Sequence, residues 1–393
     1  MVTQSLRRGE SPRELQAMET ILILFAITGA ITWLTILLLP WRPWGTREVL
    51  DASSPSADEN LSDITVLIPA RNEADMLQAT LPALNEQGSG LNIIIVDDQS
   101  IDGTSEAARG AGGANLHILR GKAPPAGWSG KLWALEQGRG HLSTSLVLLL
   151  DADIEPLPGI IAELRKTMRE KNVHLISLMA VLRMETFWER LLMPAFIYFF
   201  KLLYPFRLSN SSSSRVAAAA GGCILLETRV LDEIGGFNSL RGALIDDCAL
   251  AKKVKSRGYR TWMGLSHSVR SLRPYNTMRA IWNMVARTAF TQLRYSKPLL
   301  ILCTVIMLAS FGMPGVGLLL SPLSVKLLSA FCLISMVLTY LPTLKFYRMS
   351  VWWAFAMPLI SSLYLAMTWT SAINHWRGQT SQWKGRTYSS KGS

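Results

Sequence analysis

The placement of the apolar runs limits this chain more than any other feature. Ile21 to Leu39 is a stretch of about 19 mostly apolar residues, and three more runs follow Pro298 at roughly 299–320, 326–344 and 351–373. At about 1.5 Å of helical rise per residue, each is long enough to cross a bilayer core of about 30 Å. Pro or Lys/Arg residues separate the last three. The first is followed by Pro40-Trp41-Arg42-Pro43-Trp44, an aromatic and cationic interfacial flank where a removed signal peptide would need a small-residue cleavage site. The expected organisation is a polar segment 1–19, a membrane anchor 20–39, a linker 40–63, a globular domain 64–297, three membrane segments within 298–374 and a basic tail 375–393. A composition of 49% hydrophobic and 17% charged residues suits that mixture. The tail carries Arg377, Lys384, Arg386 and Lys391, which the positive-inside rule places in the cytoplasm, whereas three crossings from a cytoplasmic domain end outside. Either one segment is re-entrant or the rule is not followed.

Forty Lys+Arg against 28 Asp+Glu give a net charge of +12, compatible with nucleic acid, anionic lipid or a phosphorylated substrate. No nucleic-acid recognition motif is present, and the membrane runs argue against that partner. The four cysteines, Cys223, Cys248, Cys303 and Cys332, have no C-x-x-C spacing, and the five histidines form no H-E-x-x-H pattern. A reduced compartment is expected, and any metal must be held by oxygen.

Within the globular region the pattern turns to short β-rich runs at 64–68, 92–96 and 146–150. Between the first two, Leu77, Leu81 and Leu84 have the i, i+4, i+7 spacing of one helix face. Strand, amphipathic helix and strand imply a right-handed parallel crossover in an α/β sheet covered on both faces, with ligands gathering at the carboxyl ends of the strands. Those ends are polar. The first reads Ile68-Pro69-Ala70-Arg71-Asn72-Glu73, the second Asp97-Asp98-Gln99-Ser100-Ile101-Asp102-Gly103-Thr104, and the third Asp151-Ala152-Asp153. Alone, the second could be a turn with a helix N-cap, and the third a solvated strand exit. Together they suit a site where a hard cation such as Mg²⁺ or Mn²⁺ takes one or two carboxylates along with substrate phosphates. A Pro/Gly loop, Lys122 to Lys131, leads into a helix, and Lys131 beside Gly130 at its start is placed for a diphosphate, although a surface lysine would look the same.

These residues resemble the donor half of family 2 inverting glycosyltransferases, whose fold is the α/β nucleotide-diphosphosugar transferase (GT-A) fold. The resemblance implies a donor half 64–160 and an acceptor half 161–297, flanked here by N-terminal and C-terminal transmembrane helices. It implies donor binding by Pro69, Arg71 and Glu73, a uracil contact at Asp98, a ribose or diphosphate contact at Asp151, and a metal, Mg²⁺ or Mn²⁺, on Asp153. The acceptor half resembles the family through Gly221-Gly222-Cys223, Gly235-Gly236-Phe237 and Ile245-Asp246-Asp247-Cys248, with Asp246-Asp247 where the family usually has Glu-Asp. Inversion in one displacement needs a carboxylate to accept the acceptor's proton, which makes Asp247 the candidate base, with Asp246 beside it as an acceptor-side or phosphate contact. The same carboxylate could equally complement a helix dipole.

Processive family members carry Q-x-x-R-W, and this chain has only Gln292-Leu293-Arg294-Tyr295, which weakens a polymer-synthase reading and leaves Arg294 as a phosphate contact. Leu191 to Phe206, interrupted by Pro194, Lys201 and Pro205, suits a helix at the membrane interface or a core helix. Over nearly its full length the chain is similar to hopene-associated glycosyltransferases, with Gly-Lys elements also found in ceramide-glucosyltransferase-like enzymes. That resemblance implies one sugar transferred from a UDP-sugar to a membrane lipid, a hopanoid or other isoprenoid, by a multi-pass enzyme of the bacterial inner membrane with its catalytic domain facing the cytoplasm. Its alternatives are a polyprenyl-phosphate or sphingolipid-type glycosyltransferase and a catalytically silent scaffold that binds nucleotide.

Overall fold

A computed structural model describes residues 12–53, 59–243, 245–378, 381–383 and 386–388. Most of the polar segment 1–19, and Lys384 and Lys391 of the tail, lie outside the described residues. The chain divides into two units: the described parts of Met1–Gly45, Thr186–Leu202 and Thr277–Arg377, and those of Thr46–Glu185, Leu203–Asn276 and Gly378–Ser393.

The second unit is built on eight strands: β1 (Ile64–Ala70), β2 (Asn92–Asp97), β3 (Leu116–Arg120), β4 (Leu146–Leu150), β5 (Ile154–Pro156), β6 (Leu175–Val181), β7 (Cys223–Glu227) and β8 (Thr261–Ser271). They form one mixed sheet in the order β3-β2-β1-β4-β7-β6-β8-β5. The first four strands run parallel, and β7 pairs antiparallel with both β4 and β6. β1 and β4 are buried along their whole length, as continuous apolar runs covered on both faces must be. The helix Ala74–Asn85 buries the expected Leu77, Leu81 and Leu84 against the sheet, each contributing about 1.5–3 kcal/mol of apolar burial. The fold is thus the mixed α/β arrangement of the GT-A class.

Pro69 explains where the sheet opens. Pairing of β1 with β4 stops at Leu67 opposite Leu149, while pairing with β2 continues to Ala70 opposite Asp97. Pro69 lies past the last β4 pair, so its missing N–H costs the sheet no bond on that side.

Residues 46–53 are fastened to the sheet rather than spanning freely, because Leu50 donates to the Leu265 carbonyl (3.0 Å) and the Asp51 carboxylate accepts the His267 and Ser268 amides. Burial pushes the carboxylate of Asp51 up, but the His267 imidazole and amide and the Ser266 hydroxyl outweigh it and hold the group below its usual range. In the tail, β9 (Ser381–Trp383) pairs antiparallel with β10 (Arg386–Tyr388).

Among its described residues the first unit contains four helical stretches long and apolar enough to cross a membrane: Glu19–Leu38, Lys297–Leu319, Leu323–Phe346 and Val351–Trp376. They match the four runs read from the sequence. Gly29 permits a close approach, because a Cβ there would meet the Ala309 carbonyl oxygen at 2.3 Å. One turn on, the Trp33 indole donates to the Ser310 carbonyl at 2.8 Å, within a π-helical turn at Leu308–Gly312. The helix Phe187–Leu203 packs inside this unit: Tyr198 is fully buried and hydrogen-bonded to Thr339 (2.9 Å), and Tyr364 donates to the Leu192 carbonyl (2.8 Å). Of the two readings of this segment, its burial matches the core helix.

Candidate active site

Three groups of side chains assemble at the carboxyl ends of the central strands. The first surrounds an open cleft lined among others by Pro69, Lys131, Asp151, Gly221, Asp246 and Asp247. Ser129 caps the helix Gly130–Arg139 by accepting the Leu132 amide (3.3 Å), which places Lys131 in the first turn. A cation there opposes the helix dipole, so it needs compensation. Asp151, following β4, supplies it: the ammonium lies 2.7 Å from Asp151 Oδ1. Burial disfavours the ammonium, but Asp151, Asp246 and Asp247 more than offset this and raise its pKa. Burial likewise raises the pKa of Asp151, with Lys131 opposing.

Asp247 enters from the first turn of the helix Asp246–Ser256. Its Oδ2 accepts the Gly221 amide at 2.8 Å and its Oδ1 the Cys248 amide at 2.7 Å, so both oxygens are oriented by backbone. Burial, and secondarily the charge of Asp246, push its pKa up to about 6 against the lowering by Cys248, Lys131 and Gly221. The glycine at 221 lets the groups converge: a Cβ would stand 3.2 Å from Asp247 Oδ2 and 3.4 Å from Lys131 Nζ. A carboxylate with a pKa of about 6, aimed by two amides beside a half-buried ammonium, can accept a proton next to a developing negative charge.

The second group laces together the loops after β1 and β2. Arg71 Nη1 donates to the Asp98 carbonyl (2.6 Å), the Asn72 amide donates to Ser100 Oγ (3.0 Å), and Asn72 Oδ1 accepts the Ile101 amide (3.0 Å). Asn72 and Gln99 have φ of 52° and 58°, left-handed conformations that cluster at binding loops. Asp98 is fully buried at the end of β2.

The third group is centred on Arg273, which sequence reasoning missed. Antiparallel pairing of β5 with β8 sets Ile154 opposite Ser271, and the Leu272 amide donates to the Asp153 carbonyl (2.8 Å). Arg273 then reaches Asp153 Oδ2 with Nε (3.2 Å) and Glu73 Oε1 with Nη2 (2.6 Å), while Ser271 Oγ donates to the same Asp153 oxygen (3.1 Å). Burial disfavours the guanidinium, but Asp153 and Glu73 outweigh it and raise its pKa. The strand-end rule that found Glu73 and Asp153 would have found Arg273 had Thr261–Ser271 been read as a strand.

The structure therefore brings Pro69, Lys131, Asp151, Asp246 and Asp247 to one cleft, joins Glu73 to Asp153 through Arg273, and sets Arg71 against the Asp98 backbone. Asp151 and Asp153 link the first and third groups, since Asp153 contributes to raising the Asp151 pKa. Arg294 lies in the other unit, exposed, with φ of 52°. As for a metal, Asp151 and Asp153 offer the hard oxygens that Mg²⁺ and Mn²⁺ take alongside phosphates, so the donor set fits. Among the described residues no group of three or more His, Cys, Asp or Glu side chains is placed to hold a metal ion.

Residues 116–392 match glycosyl transferase family 21. The chain is similar to the 4,4'-diaponeurosporenoate glycosyltransferases of Staphylococcus haemolyticus, with 31% identity over 28% of this chain and 30% of the relative, and of Staphylococcus aureus, with 30% identity over 24% and 25%. It thus spans less than a third of the length of these curated relatives. Its fold resembles that of a mannosyltransferase from Pyrobaculum calidifontis solved with GDP-Man and Mn²⁺, with a TM-score of 0.52 and 19% identity over 90% of this chain and 99% of that one.

Proposed function

This chain belongs to glycosyl transferase family 21, and we propose that it transfers one sugar from a UDP-sugar to a membrane lipid with inversion at the anomeric carbon. The observation that carries the reading is the convergence of Lys131, Asp151, Asp246 and Asp247 on one cleft, with Asp247 oriented by the Gly221 and Cys248 amides. In this mechanism the acceptor hydroxyl attacks the anomeric carbon, Asp247 takes its proton, and the sugar–phosphate bond breaks with its electron pair leaving on the diphosphate. Lys131 faces that developing charge. Asp98 and Arg71 hold the nucleoside end, and Pro69 and Glu73 complete the donor side. Mg²⁺ or Mn²⁺, held through Asp153, would supply Lewis-acid stabilisation of the leaving group.

The acceptor is a hopanoid or related isoprenoid. Four apolar helices keep the enzyme beside a substrate that stays in the bilayer. The names of the Staphylococcus relatives favour a second reading, in which the acceptor is a carotenoid. The site belongs on the cytoplasmic face of a bacterial inner membrane, where nucleotide sugars are available. Membranes containing the protein, incubated with labelled UDP-sugars and hopanoid or carotenoid acceptors and analysed by mass spectrometry, test the reading. A glycosylated lipid lost on chelation and lost in Asp153→Ala supports it. No product with any UDP-sugar, together with no UDP binding, overturns it.

A further inference from the structure

Arg273 is tied to the site by sheet register rather than by surface chance. Its guanidinium bridges two carboxylates from distant parts of the chain, Glu73 and Asp153, and Asp153 Oδ2 is already engaged by both Arg273 Nε and Ser271 Oγ. Glu73 and Asp153 are 7% and 8% exposed, so an unbridged pair would concentrate two negative charges in a poorly solvated place. Such a pair of carboxylates is also what a free divalent cation binds well. The side chain of Arg273 remains 28% exposed, and among the described residues its Nη1 has no hydrogen-bond partner. One edge of the fork thus neutralises the acidic pair while the other stays available to an anion, for which the planar guanidinium is well suited.

Building on the UDP-sugar reading, we propose that Arg273 is a positioning residue that makes divalent cation and nucleotide bind together. By neutralising Glu73 and Asp153 it keeps the empty site a poor cation site, and its open Nη1 edge receives the donor diphosphate, whose arrival supplies the oxygens a cation needs. Cation affinity is then low without nucleotide and high with it, and the dependence runs through this one side chain.

The test uses the full-length protein in detergent and two titrations: free Mn²⁺ followed by electron paramagnetic resonance, and UDP at saturating Mn²⁺ followed by calorimetry. Arg273→Gln should bind Mn²⁺ without nucleotide about tenfold more tightly than wild type and UDP with Mn²⁺ about tenfold more weakly, the scale of one charge-assisted hydrogen bond. Arg273→Lys, which keeps the charge but reaches fewer partners, should fall between. If the Gln variant does not fold, the Lys variant is compared with wild type in the same titrations, and shifts in the same two directions support the proposal. Unchanged or weaker Mn²⁺ binding by the variants without nucleotide, or unchanged UDP binding, overturns it. Wild-type protein that binds no UDP overturns the donor reading along with it, whereas normal UDP binding by wild type and variants alike removes only the role of Arg273.

Discussion

Lys131 and Arg273 each gather carboxylates near the ends of the central strands, and they do it with opposite geometry. Lys131 is a point charge at a helix start, 2.7 Å from Asp151 and influenced by Asp246 and Asp247, on the wall of the cleft itself. Arg273 is a fork that spans Glu73 and Asp153 from beyond the end of β8. The difference is one of work: the lysine sits among groups that can move protons and stabilise charge, while the arginine fixes the relative position of two acidic segments. If that division is right, changes around Lys131 alter chemistry first, and changes around Arg273 alter binding first.

The strongest way to break the comparison is Asp247→Asn, which should lower kcat by about 10²–10⁴-fold, the contribution of a general base, while leaving UDP affinity near wild type in calorimetry. An unchanged kcat would remove the lysine side of the contrast altogether. Lys131→Met comes next. It leaves Asp151 without its partner, and because the two side chains are 21% and 32% exposed, folding stability should fall by about 1–2 kcal/mol, between the values for exposed and buried pairs. Urea denaturation in detergent measures it, and a loss near zero would make the pair an ordinary surface contact.

Gly221→Ala should act more gently, since the new Cβ pushes on Asp247 Oδ2 from 3.2 Å and on Lys131 Nζ from 3.4 Å. A displacement of a few tenths of an ångström should cost about three- to tenfold in kcat with UDP binding little changed. A fall in UDP binding alone would move Gly221 out of the catalytic group. The smallest effect is on pH dependence. With Asp247 at about 6, raised by burial and then by Asp246, kcat/KM should fall about tenfold per pH unit once pH drops below that value, because the protonated acid cannot accept a proton. Asp246→Asn removes a neighbouring negative charge, favours the ionised form of Asp247, and should move the acid limb to lower pH. A limb that stays in place would assign it to another group.

The contrast also shows what a sequence displays. Lys131 was legible because Gly130 and the Pro/Gly loop mark a helix start, and Leu77, Leu81 and Leu84 announced their helix by spacing alone. Arg273 was not legible: 120 residues separate it from Asp153 and 200 from Glu73, and it is the pairing of β5 with β8 that brings it to Asp153. The segment before β1 read as a linker because its Ser, Asp and Asn residues are those of a loop. Its Asp51 contacts with β8 are long-range hydrogen bonds that composition does not encode. The four apolar stretches were plain because about 20 consecutive apolar residues is the length a helix needs to cross a bilayer core.

The union of Trp33 with Ser310 has a consequence in time as well as space. Their partners are 277 residues apart, so at about 5–20 residues per second the ribosome needs tens of seconds between making one and making the other. Throughout that interval the first helix has neither the Ser310 carbonyl for its indole nor the Ala309 backbone for Gly29. Assembly of the bundle is therefore a late event in biogenesis, and a chain halted before residue 310 would leave its opening segment without the surface it was shaped to meet.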